Sequence, residues 1–400
     1  MGIVNSSKKA NLNATPNESL KEKNKNNKFV DLVVKVNKKN YLGWKTAVVS
    51  RSMNNICGAF MLTASDKYPD QPLNWDIKLG NECVIEFKGE IILTGYIDEI
   101  NIRYSATDRV VEIKGRDKTS DLVDCCYDDA TKEFKKISVK KMIVAMCKLF
   151  NIDVVIDGAV ESIMNTKIAD YSFRINPTEK VSNIIGAICK EKGVMPLCYG
   201  DGKLTIAKAA SNESMEDTLQ TGYNILTGQQ HQNNKERFSR YKCLGQGMIL
   251  DTKNPNDISG VKSNTANALD GMIDRTRPLV IINEGASNIE ACNNRVHIVK
   301  NVRIGQSRKF IYTIQDWMQS NGKPWTINSL VRVADKAFDV LTDLLISSVE
   351  FIHTESEGTI TTITVVDPVT YDGNMKPNED VKTSFDNSFT GKFEAGDYVS

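Results

Sequence analysis

Apolar and polar residues alternate in short runs separated by turn residues over positions 29–115. This pattern constrains the fold of the 400-residue chain more than any other feature. A two-residue period puts one set of side chains on a single face of a strand. Residues 29–36 alternate, residues 37–40 read as a turn, and residues 41–44 with 46–49 supply an expected partner strand. Residues 83–87 and 91–97 flank Lys88-Gly89-Glu90, and residues 96–104 and 109–115 form a third pair. Short strands at this spacing predict an antiparallel barrel or sandwich.

The period changes near residue 137. Ser138 can cap a helix whose apolar stripe is Val139, Met142, Ile143, Met146 and Phe150. Asn176, Pro177 and Glu179 read as the capped start of a second helix, with Val181, Ile184, Ile185 and Ile188 on its stripe and Gly193 at its end. Asp201-Gly202 predicts a hairpin turn. Beyond 222 the strand reading returns, clearest at 237–245, and residues 251–275 read as a polar loop. Residues 279–282 read as a strand, and a third helix after Asn283 aligns Ala286, Ile289, Cys292, Val296 and Val299. Residues 310–314, 329–333, 344–351 and 359–366 are again strand-like. Ile97-Asp98-Glu99-Ile100 leading to 110–115 has an echo in Val349-Glu350-Phe351-Ile352 leading to 360–366. The fold class read from these patterns is mainly β with α (α+β), in several domains.

Composition narrows the function. Lys and Arg total 51 against 50 Asp and Glu, a net charge of +1, which argues against a protein that wraps nucleic acid. No apolar run reaches the roughly 18–20 residues of a membrane helix, and no stretch of signal-peptide type opens the chain. Nine scattered cysteines without a CxxC pair predict free thiols in a reducing compartment. His231, His297 and His353 stand apart from one another and from cysteine, so no zinc site is expected. There is no Walker loop or GxSxG, and Gly245-Gln246-Gly247 lacks the third glycine of a dinucleotide fingerprint. Pairs such as Asp128-Asp129 are expected by chance among 50 acidic residues. The residues therefore predict no catalytic residue, no cofactor and no metal. Trp44, Trp317 and Trp325 are candidate packing or interface anchors. Trp317 and Trp325 flank the turn-rich Ser320-Asn321-Gly322-Lys323-Pro324 and could pack inward, anchor a subunit contact, or stack on sugars in an adhesin.

Several segments in order resemble the baseplate hub protein of contractile-tailed phages of the Mu type. They are Tyr41-x-Gly43-Trp44, Gly58-x-Phe60, Leu93-Thr94-Gly95-Tyr96-Ile97-Asp98, and Gly115-Arg116-Asp117 with Asp121-Leu122-Val123-Asp124. Asp201-Gly202-x-Leu204, Arg237-Phe238-Ser239-x-Tyr241, Gly245-Gln246 and Arg277-Pro278-Leu279 follow. Trp317, Asn321-Gly322, Trp325, Asn328 and Leu330-Val331-Arg332-Val333 complete the series.

The resemblance implies two tube-like antiparallel β-barrel domains plus small helix-containing domains. The expected organisation is a disordered arm at 1–28, a first barrel at 29–125 completed by later strands, and an α+β domain at 126–210. A β segment and loop at 211–275, a second barrel with a helix at 276–370, and a C-terminal arm at 371–400 follow. The implied function is structural: a homotrimeric ring in the virion baseplate, assembled in the host cytoplasm, joining a trimeric tail spike to the hexameric tail tube protein. Other baseplate proteins are further implied partners, with DNA only in transit and no membrane binding. The alternatives are the hub of a genome-free injection particle or bacteriocin, and a carbohydrate-binding adhesin.

Overall fold

The computed structural model of the chain describes residues 31–65, 76–105, 109–129, 133–167, 173–249, 262–283 and 289–372. The arm expected at 1–28, and that at 371–400 apart from its first two residues, lie outside them, as does Ala286 of the third helical stripe.

Seven strands open the fold: β1 (Leu32–Val36), β2 (Lys39–Tyr41), β3 (Thr46–Ser52), β4 (Ala59–Ser65), β5 (Glu82–Phe87), β6 (Glu90–Tyr104) and β7 (Arg109–Asp117). Burial alternates along them, so β7 turns Val111, Ile113, Gly115 and Asp117 inward. The first hairpin differs from the sequence reading. β1 pairs with the short β2 and with β5, whereas β3 pairs with β4. Gly43, at φ +80°, lies in the connection between β2 and β3 in a conformation that side chains resist.

A small α+β unit follows. It holds α1 (Ser120–Asp124), β8 (Glu133–Phe134), α2 (Val139–Lys148), β9 (Val154–Ile156), α3 (Glu161–Met164), β10 (Phe173–Arg174), α4 (Val181–Lys192), β11 (Met195–Leu197) and β12 (Leu204–Ala207). The stripes of α2 and α4 meet in a separate core with Leu122, Leu204 and Ile206. Ser138 caps α2 by accepting from the Lys141 amide, and Gly193 ends α4 at φ +67°. Asn176 does not cap α4, whose N-cap is Lys180. The Asn176 carboxamide accepts instead from the amide and hydroxyl of Thr178, closing a local turn that stops before the helix.

The remaining strands are β13 (Leu219–Gln220), β14 (Ile225–Gln232), β15 (Arg240–Ile249), β16 (Lys262–Leu269) and β17 (Pro278–Asn283), then α5 (Ile289–Gln306), β18 (Arg308–Gln315), β19 (Leu330–Asp335), β20 (Val340–Thr354) and β21 (Gly358–Val366). β16–β15–β17 form a sheet under α5, with Tyr241, Cys243, Ala266, Ala268, Cys292 and Val296 between them. Residues 262–269, expected within a loop, are a strand whose described helix-facing side chains are Ala266 and Ala268, too small to register as an apolar alternation.

All other long strands join one 13-stranded sheet, and its halves repeat. Strand order β3–β4–β7–β6–β5 in the first half matches β14–β18–β21–β20–β19 in the second. β5, β6 and β7 are 6, 15 and 9 residues long, as are β19, β20 and β21. Each 15-residue strand carries one irregularity against the strand that follows it, at Asp98 in β6 and at Ser347 in β20. Asp117 and Asp367 occupy equivalent places just past it, and each carboxylate accepts from the amide two residues on. The faint sequence echo is this pair of hairpins. The halves join edge to edge through β20 and β3, from Ser348 opposite Ser52 to Thr354 opposite Thr46, over one shared core.

Candidate functional site

The alternation of β3 that buries Ala47 and Val49 also sends Arg51 inward. Its Nη1 donates to the Tyr199 carbonyl of the α+β unit, and its Nη2 donates to the Trp325 carbonyl at 3.4 Å. The guanidinium carbon lies 5.1 Å from the centroid of Phe351 on β20. Burial lowers the Arg51 pKa to about 10, against the opposing pull of Cys198, Asp117 and Asp201. Asp117 accepts from the Gly58 amide, from the Thr119 amide at 2.9 Å and from the Thr119 hydroxyl. Burial pushes its carboxyl up, while these donors hold it down. Both sheet halves and the α+β unit thus converge on one buried cation.

Two glycines of the resembling segments make the close approach of β6 and β7 possible. A Cβ on Gly95 would collide with the Arg116 carbonyl. One on Gly115 would collide with the Tyr96 carbonyl and lie 2.5 Å from the Phe60 ring. Gly115→Ala is expected to lower stability by about 1–3 kcal/mol through overpacking, read as a fall in the urea midpoint at unchanged slope. Next to it, Arg116 bridges Asp98 at 2.8 Å and Asp124 at 2.7 Å, tying β6 to α1.

All three candidate tryptophans lie inside the chain. Trp44 bonds the Tyr41 carbonyl at 3.2 Å. The Trp317 ring stands 4.6 Å from that of Phe87 in the first half and 5.3 Å from that of Phe351 in the second, and its indole donates to the Ile352 carbonyl at 2.9 Å. Trp325 closes the same loop by donating its amide to the Trp317 carbonyl at 3.3 Å. Buried rings of this kind present no face on which a sugar could stack. The loop is strapped down from outside. Asn328, buried and at φ +63°, receives the Ala210 amide at 2.8 Å and donates to the Lys208 carbonyl at 2.9 Å. Asp217 receives the Ser320 amide at 2.7 Å, and Lys88 pairs with Asp316 at 2.5 Å.

A further resembling segment builds a buried ion pair. Arg237 grips Asp270 in a two-point contact at 2.6 and 3.1 Å, with side chains only 10% and 3% exposed. Arg277 donates to the Arg237 carbonyl at 3.0 Å and covers the Phe238 ring at 5.3 Å, and the Phe238 amide donates to the Tyr241 hydroxyl at 3.0 Å.

Among the described residues no cluster of three His, Cys, Asp or Glu side chains could hold a metal, and no helix is long and apolar enough to cross a membrane. The sequence reading missed Arg51 as a site residue. Its signal was a lone cation in the inward phase of Ala47 and Val49.

Comparison with known proteins matches three stretches of the chain. Residues 31–117 match the Mu phage baseplate assembly protein GpP-like N-terminal family. Residues 119–208 match the second domain of baseplate hub protein gp44-like proteins, and residues 288–374 match the fourth domain of Mu phage baseplate assembly protein GpP. The chain is 26% identical over 327 residues to the baseplate hub protein gp44 of Escherichia phage Mu, covering 81% of this chain and 84% of that one. The crystal structure of the 43 kDa tail protein of prophage MuSo2 from Shewanella oneidensis superposes with a TM-score of 0.72 at 29% identity, covering 85% of this chain and 99% of that one. A tail protein from Neisseria meningitidis MC58 shares the fold, with a TM-score of 0.67 at 18% identity over 87% and 99% of the two chains.

Proposed function

We propose, because the chain belongs to the Mu-type family of baseplate hub proteins, that three copies form a ring which adapts a trimeric tail spike to the hexameric tail tube of a contractile tail. The family is a structural one rather than an enzyme family, and its members are components of the virion tail. The observation that carries the proposal is the repeat of strand order within one chain. Two equivalent modules per chain let three chains offer six similar surfaces, the number a hexameric tube requires. Closure of such a ring prevents head-to-tail contacts from running on into fibres.

A net charge of +1 suits the proposed passage of DNA through the ring, since a strongly basic wall would hold the polyanion by releasing its counterions. Light scattering at micromolar concentration is expected to give three times the 44.6 kDa chain mass, from interfaces on the order of 2,000 Å² or more. A stable monomer would remove the ring.

A further inference from the structure

We infer that the open edge of β14 in one copy pairs antiparallel with the open edge of the distal half of β6 in the next copy, with Gln230 opposite Ile102. The inference rests on the ring reading and specifies how its subunits join.

The two halves of the chain show how one module meets another. The distal half of β20 pairs with β21 on one side and with β3 on the other. Its equivalent, the distal half of β6, pairs with β7 on one side, and among the described residues no strand occupies the other. β3 pairs with β4 on one side and with β20 on the other. Its equivalent, β14, pairs with β18 and, among the described residues, ends the sheet. The described residues therefore contain one completed junction, β20 on β3, and the two unmatched parts of a second.

Register follows from the same equivalence. Aligning the irregularities at Asp98 and Ser347 places Ile102 where Phe351 stands, because Ile102 faces Val111 and Phe351 faces Thr361. Aligning Phe60 with Phe310 places Gln230 where Val49 stands. Val49 opposite Phe351 in the completed junction thus becomes Gln230 opposite Ile102 in the open one. Ala47 opposite His353 becomes Gly228 opposite Tyr104.

The side chains at both edges fit this assignment. Val49 and Phe351 are fully buried, whereas Ile102 is 52% and Tyr104 83% exposed on the same inner face. The Gln230 Nε2 is shielded from solvent without a hydrogen-bond partner among the described residues. β14 reads Ile-Leu-Thr-Gly-Gln-Gln-His-Gln and carries no proline, lysine or acidic residue, the usual devices that keep an edge strand from pairing.

The full-length chain carrying Ile102→Cys and Gln230→Cys tests the pairing. Air oxidation with copper–phenanthroline is expected to give a covalent trimer on a denaturing gel. Each single variant, and the pair Ile102→Cys with Gln229→Cys, whose second thiol points to the other face, should give at least about tenfold less. Light scattering on the same sample separates the two levels. A trimer in which the 102/230 pair does not cross-link, or does so no faster than 102/229, overturns the edge assignment and spares the ring. A monomer overturns both. Ile102→Lys supplies a second reading. The position is exposed in the single chain, so folding by circular dichroism should be unchanged while the measured mass falls threefold. An unaltered trimer would count against the pairing.

Discussion

Trp317→Ala is expected to lower the unfolding free energy by about 3–5 kcal/mol, the range for deleting a fully buried tryptophan. The ring touches Phe87 from one half of the sheet and Phe351 from the other, so its loss leaves a cavity across the plane where the halves share a core. It also leaves the Ile352 carbonyl without its indole donor, and an unmet buried acceptor adds to the cost. A domain with about 5–15 kcal/mol to lose comes close to unfolding at 37 °C. Guanidinium unfolding at one fixed protein concentration reads the change, because assembly contributes to apparent stability. A loss below about 1 kcal/mol would mean that the ring is not the wedge between the halves.

Asp270→Ala is the second large effect, also about 3–5 kcal/mol, because it strands the Arg237 guanidinium in a site where it is 10% exposed. Replacing both partners with apolar residues, Arg237→Met with Asp270→Leu, should restore most of the loss, as burying two charges is itself costly. The damage should be local. The three-stranded sheet under α5 has its own small core, so hydrogen exchange is expected to rise in β15, β16 and β17 while β3 and β20 stay protected. An equal rise in both places would show that the ion pair supports the whole chain rather than this one unit.

Elements with local signals were readable from sequence. The turn at Lys88-Gly89 joins β5 to β6, Asp201-Gly202 joins β11 to β12, and the stripes of α2 and α4 face the core expected of them. Readings failed where a partner distant in sequence decided the outcome. Nothing in residues 46–52 announces that β3 will lie against residues 348–354. The alternation of β16 is carried by alanines, because α5 packs close above it. At the site, the resembling segments included Asp117, Asn328 and Arg237 but gave none of them a role. Their roles depend on Gly58, Ala210 and Asp270, each at least 30 residues away. The tryptophans were singled out as packing or interface anchors with the inward and outward readings both open, and the loop of Trp317 and Trp325 is held by Asp217, Lys208 and Ala210, each more than 100 residues from its partner.

The seam between β3 and β20 also sets a schedule for biosynthesis. A ribosome adding about 5–20 residues per second needs tens of seconds to travel from Ser52 to Ser348. Throughout that interval the nascent chain carries an unsatisfied strand, and long-range pairings of this kind form slowly. Premature termination anywhere before residue 348 would release a polypeptide with a sticky flank, so translation itself becomes the period in which this protein is most exposed to aggregation and most dependent on chaperones.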